Sequence, residues 1–163
     1  TAMNIHQTHE ALPDFCRVQS CAVLKKYLAA ALDLHHQVQQ ARRHVRGPGL
    51  IFEQEMFDKV LQEVEHLVVA ITERAGYLGA TVQGTIQVPP KDIQRWPYLL
   101  GIAGDKQHII DTWEALASFA RSVRDGRAQI ATLNDPVTED LFIEVVEEVD
   151  QQLCLVEAQL AHR

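Results

Sequence analysis

Cysteine is scarce and badly placed for pairing. There are three, Cys16, Cys21 and Cys154, an odd number with no CxxC spacing. That pattern argues against a disulfide framework and leaves reduced thiols in a cytoplasmic protein as the expectation. Long apolar runs are missing too. No window reaches the ~18 uninterrupted apolar residues of a membrane-spanning helix, and the first residues lack the basic-then-apolar order of a secretory signal. Positive charge is in deficit, with 15 Lys and Arg against 22 Asp and Glu and a net charge of −7. Such a chain suits phosphate backbones poorly, because that binding is driven by clustered cations. An acidic surface or cavity would instead attract cations. Phosphate loops, dinucleotide fingerprints, zinc-finger spacings and nucleophile elbows are all absent, as are strand-like alternation and internal repeats.

Helical signal fills most of what remains. Residues 1–14 are polar, contain His6, His9 and Pro13 but no Lys or Arg, and read as an arm preceding one domain over 15–163. From about Asp14 to His44 there is neither Pro nor Gly. Leu24, Leu28, Ala31, Leu32, His35, Val38 and Arg42 recur at intervals of three and four, which gathers them on one stripe. His35 and Arg42 are the polar members of that stripe. His35 fits a satisfied core or interface histidine or a metal ligand, whereas Arg42 requires an anion because it cannot shed its charge.

Arg46-Gly47-Pro48-Gly49 ends this helix, and a second runs from about Ile51 to Leu78. Phe57, Val60, Leu61, Val64, Leu67, Val68, Ile71 and Ala75 form its main stripe. A flanking seam carries Asp58, Gln62, Glu65, Val69 and Glu73, which predicts a second chain packed there. Residues 79–96, broken by Gly79, Gly84, Pro89 and Pro90, are too long for a tight turn, and Lys91 to Trp96 could form one short helix. A third helix spans about Asp105 to Ile130, with Asp125-Gly126 as a candidate break. Asp135 as N-cap and Pro136 as first residue open the last. The pattern is an all-α four-helix bundle with a crossover between helices two and three. One Glu-x-x-His occurs, Glu63 to His66, but it lies opposite the apolar stripe and does not fit a di-iron site inside the bundle.

The strings Arg46-Gly47-Pro48, Glu55-Met56-Phe57-Asp58, Ile71-Thr72-Glu73-Arg74 and Leu78-Gly79, with Tyr98-Leu99, Asp135, Thr138 to Phe142 (TEDLF) and Glu157-Ala158-x-Leu160, resemble the Dps family of ferritin-like mini-cages. The likeness runs from about Leu24 to the C-terminus. It implies a ferritin-like four-helix subunit whose long crossover carries a short helix, and a homododecameric shell. It also implies ferrous iron oxidised by hydrogen peroxide, mineral storage, protection against oxidative damage and, in many members, DNA coating.

The family's ferroxidase ligands lie between chains, and here they are depleted. Arg42, Gln54 and Val69 stand at positions that carry two His and an Asp, leaving Asp58 and Glu73 as the retained ligands and candidate catalytic residues. Two readings follow. In one, Arg42 makes a salt bridge to Glu73, Asp58 or both on the partner chain. In the other, Asp58 and Glu73 join His35, His44 or His66 around iron or a single zinc. Asp135, Asp140 and Glu144 match acids that line the family's three-fold pores, and Glu55 and Glu63 could nucleate mineral. With no Lys in the arm, DNA binding is expected to be weak or absent.

Overall fold

The computed structural model describes residues 5–46, 49–81 and 105–162. They form four helices: α1 Asp14–His44, α2 Leu50–Tyr77, α3 Asp105–Ala131 and α4 Pro136–Ala161. The stripes that the sequence spaces for burial face the core, but that of α1 is turned from the one expected: Leu34 and Ala41 are buried, while Leu32, His35 and Arg42 are only half-buried. Leu24, Leu28, Ala31, Leu34 and Val38 of α1 meet Phe57, Val60, Val64 and Ile71 of α2. Ile109, Leu116, Phe119 and Val123 of α3 and Phe142, Val145, Val149 and Val156 of α4 complete the core. Full burial of such side chains contributes about 1.5–3 kcal/mol each, which is what holds long helices of moderate intrinsic propensity together.

Around the bundle, α1 packs on α2 and α3, and α4 packs on α3 and α2. All neighbours are antiparallel. The start of α1 meets the end of α2 through Arg17 and Leu78, and the end of α2 meets the start of α4 through Arg74 and Asp135. Near the other end, His44 of α1 lies against His108 of α3. So α2 and α3 finish at the same end, and α3 begins at the far one, as a crossover topology requires. The short helix expected at Lys91 to Trp96, the Tyr98-Leu99 string and the Gly47-Pro48 turn lie outside the described residues.

Local chemistry explains the boundaries. Gly79 has φ +90°, and Ala80 N–H donates to the Ala75 carbonyl while Gly79 N–H donates to that of Gly76. This is a Schellman ending, and glycine supplies the left-handed residue it needs. At the α3–α4 turn Asn134 takes φ 52°. Asp135 then caps α4 by accepting from Thr138 N–H at 3.1 Å, with Pro136 following as first residue.

The break expected at Asp125-Gly126 does not occur, because α3 continues through it to Ala131. Gly126 serves packing instead. A Cβ there would lie 2.4 Å from the Tyr27 ring and 2.7 Å from that of Phe142. The two rings meet edge to face at 5.1 Å, and the Tyr27 hydroxyl donates to the Ser122 carbonyl at 2.7 Å. Glycine is required here because two aromatic rings occupy the space of a side chain.

Candidate functional site

Seven residues make two helical turns. His35 and Arg42 therefore share one face of α1, and Asp58 and Glu65 share one face of α2. Because the helices are antiparallel, the four pair as two rungs. Arg42 Nε donates to Asp58 Oδ1 at 2.5 Å and its Nη2 to Oδ2 at 3.1 Å, a two-pronged contact. On the next rung His35 Nε2 lies 2.9 Å from Glu65 Oε1. Both rungs lie at the edge of the apolar stripe: the Arg42 side chain is 37% exposed and that of Asp58 53%. Asp58 raises the Arg42 pKa by its hydrogen bond and then by its charge, so the guanidinium stays protonated.

The anion that Arg42 requires is thus in its own chain, whereas the first of the two readings from sequence placed it on a partner chain. Beyond the rungs the seam is open. Val69 is 53% exposed, and Glu73 is exposed one turn further on. Asp58 and Glu73 are fifteen residues apart on one helix, about 22 Å, so a single chain does not bring them together. Gln54 is half-buried one turn before Asp58.

The histidines are spread out as well. His66 Nδ1 sits 3.5 Å from Glu63 Oε2. His44 Nδ1 lies 2.7 Å from the Gln40 carbonyl, and its ring is 5.8 Å from that of His108. Among the described residues no three His, Cys, Asp or Glu side chains gather in an arrangement that could hold a metal. Arg42 takes both oxygens of Asp58, so a cation would have to displace a permanently charged group.

At the start of α4 the three acids differ. Asp140 and Glu144 are exposed, whereas Asp135 is 1% exposed. Its carboxylate accepts from Arg74 Nη2 at 2.9 Å and from the hydroxyl and amide of Thr138. Burial pushes the Asp135 pKa up, but the Thr138 donors, Ser20 and Arg74 outweigh it and hold the carboxyl below its ordinary value.

Buried Arg17, Arg74, Glu53 and His108 escaped the sequence reading. Phase carried a signal for most of them. Arg17 precedes Cys21, Leu24 and Leu28 at stripe intervals, Glu53 precedes Phe57 and Val60, and Arg74 follows Ile71 by three. Their charge weighed against burial.

The ferritin-like domain profile (Ferritin) matches residues 21–162. The chain is also 25% identical over 161 residues to the DNA protection during starvation protein of Agrobacterium fabrum, covering 99% of each sequence. The chain belongs to the Dps family of ferritin-like proteins. Solved Dps structures share the fold. DpsA14 from Streptomyces coelicolor is 26% identical with a TM-score of 0.84, covering 98% of this chain and 95% of that one. Dps of Mycobacterium smegmatis in its tetragonal form is 24% identical with a TM-score of 0.85, covering 95% and 94%. An archaeal Dps homologue from Halobacterium salinarum reaches a TM-score of 0.84 at 15% identity, covering 98% and 89%. That last likeness marks the fold as independent of most side chains, which puts the question of activity on the few residues of the Dps seam.

Proposed function

We propose that this Dps chain assembles into a homododecameric shell in the cytoplasm, takes up and stores iron, and so limits oxidative damage, with its inter-subunit ferroxidase centre held shut. The observation that carries the closed centre is the two-pronged Arg42–Asp58 pair. The guanidinium engages the retained carboxylate and stands where the family places its first His. The residues present do not fit a di-iron ligand set. Val69 supplies no donor, and Gln54 offers an amide in place of an imidazole. Glu73 can reach such a centre only from a partner chain, fifteen residues along α2 from Asp58. No reaction step is therefore assigned to it, and nothing supports zinc there.

Iron is cargo in this reading. Exposed Asp140 and Glu144 would attract ferrous ions at the mouth of a pore, with Asp135 behind them as the buried anchor of the α4 start. The name of the Agrobacterium relative supports a protective role. A net charge of −7 and an arm without Lys or Arg favour protection through iron rather than through DNA coating. His6 and His9 would add at most weak, pH-dependent contacts.

Ferrous iron mixed with hydrogen peroxide and followed optically tests this. Oxidation is expected to be slow and unchanged by Glu73→Ala, while Asp140→Asn with Glu144→Gln lowers the iron retained. A fast phase abolished by Glu73→Ala would mean that the centre works and overturn the closed reading. A gel-filtration mass near that of one chain would remove the shell. The second reading, an inert shell, differs in one respect: it retains no iron under either condition.

A further inference from the structure

The segment before α1 is not a loose tail. Ile5 makes an antiparallel bridge with Ala80, and His6 N–H donates to the Gly79 carbonyl at 3.1 Å. Arg17, 5% exposed, donates through one nitrogen to the His6 carbonyl, the Thr8 hydroxyl and the Leu78 carbonyl, each at 3.3 Å. Arg74, 8% exposed, reaches Glu10 at 3.0 Å with the nitrogen that Asp135 does not use. Ile5 and Leu12 pack on the core. Gly79 forms the notch for this docking, because a Cβ there would lie 2.5 Å from the His6 carbonyl oxygen. Two buried guanidiniums and a glycine notch are more than a solvated arm requires.

Beneath the bridge lies Cys21, with no exposed surface. Its thiol faces the Ala75 carbonyl at 4.0 Å. Burial pushes the thiol pKa up, only partly offset by Lys25, Arg17, the Ala80 amide and Arg74. The same Ala75 carbonyl accepts from Ala80 N–H at 2.9 Å, and Ala80 is the residue that Ile5 bridges, so the sulfur lies next to the point where the segment is fastened.

We propose that residues 5–13 form a strap that closes the α1–α2 end of the bundle and controls access to the Cys21 thiol. Opening parts the His6–Gly79 and Glu10–Arg74 contacts, the Arg17 contacts to His6 and Thr8 and the packing of Ile5 and Leu12, while the four helices stay packed. Closed, the strap keeps the thiol inert. Open, it admits small electrophiles and oxidants to that one sulfur.

The test uses the full chain with Cys16→Ser and Cys154→Ser, so that Cys21 is the only thiol. Two strap variants are made in it. His6→Pro removes the amide donor to Gly79, and Glu10→Ala removes the carboxylate from Arg74. Neither changes a helix residue. Labelling by an aromatic disulfide reagent is expected to accelerate about tenfold in each, the scale of one lost hydrogen bond expressed in a local opening. The thermal midpoint followed by circular dichroism should move little. Hydrogen exchange should show the His6 amide protected in the parent and released in Glu10→Ala. Labelling as slow in both variants as in the parent would overturn the proposal. So would a His6 amide that exchanges in the parent at the rate of an unstructured peptide. Neither readout involves iron or assembly, so failure here leaves the storage reading standing.

Discussion

Replacing Gly126 by Ala sets two effects of opposite sign against each other, and the structure decides between them. In an exposed helix interior the change would stabilise by about 0.8–1 kcal/mol, since glycine is a poor helix former. At this position the new methyl would stand 2.4 Å from Tyr27 Cε2, 2.6 Å from its Cζ and 2.7 Å from Phe142 Cε1. Contacts between carbon atoms need ~3.5–4 Å, so both rings must retreat by about 1 Å. Both are buried, at 1% and 2% exposure, with no open side to move into. Their retreat strains the edge-to-face contact, worth ~0.5–1.5 kcal/mol beyond area, and the Tyr27 bond to the Ser122 carbonyl, worth ~0.5–1.5 kcal/mol. Overpacking of this kind destabilises by about 1–3 kcal/mol or more. The net expectation is a loss of about 2–3 kcal/mol. For a domain of this size that is a fall in Tm of about 5–10 °C, read by thermal unfolding under circular dichroism. Tyr27→Leu in the same chain should recover part of the loss by making room, giving a favourable coupling between the two sites. A Gly126→Ala protein with unchanged or raised Tm would refute the packing argument and leave helix propensity as the larger effect.

Other outcomes follow from the ion pairs. Asp135→Ala should destabilise by about 3–5 kcal/mol, because it strips a buried arginine of a partner and removes a helix cap together; Asp135→Asn, which can still cap, should be milder in urea titrations. The lowered Asp135 pKa has a sign. Its stabilisation is complete above the unfolded carboxylate value of about 4 and is lost as pH falls through the folded one. Stability followed downward from pH 5 should therefore decline less steeply in Asp135→Asn, and an identical acid limb would deny the coupling. A double-mutant cycle on Arg42→Ala and Asp58→Ala should give a coupling of at most ~1 kcal/mol for half-exposed groups, smaller still in high salt. A coupling of several kcal/mol would show that another chain buries the pair in solution.

The helices were legible because their apolar intervals are regular over seven turns or more and their ends carry ordinary signals: Gly79, Asn134, Asp135 and Pro136. Gly126 misled because a glycine inside a helical pattern reads as a break, and only the positions of Tyr27 and Phe142 on two other helices reveal its use. The seam was half legible. Helical phase put Arg42 and Asp58 on faces where charge was unexpected, but which chain supplied the anion depends on the antiparallel register of α1 and α2. Phase alone does not fix that register. Arg74 was harder still, because its partners Glu10 and Asp135 come from the arm and from the α4 start, far away in sequence, and the burial of Arg17 depends on the arm folding back over Leu78. A composition lacking Lys and Arg before residue 15 described the arm as polar and unattached, when its attachment is made by cations from the helices.

The antiparallel order of the four helices also settles at which pole the segment before α1 and the end of α4 lie. The segment leading into α1 lies at the end where α4 starts, and α4 then runs the full length of the bundle to Ala161. Ile5 and His162, the ends of the described residues, therefore lie near opposite poles, about 40 Å apart for a helix of 26 residues. A short peptide cannot join them, so a circular permutant would need a linker as long as the subunit itself. The same separation makes the subunit a ruler. In any closed assembly, fluorophores attached near Ile5 and His162 would report which pole faces outward.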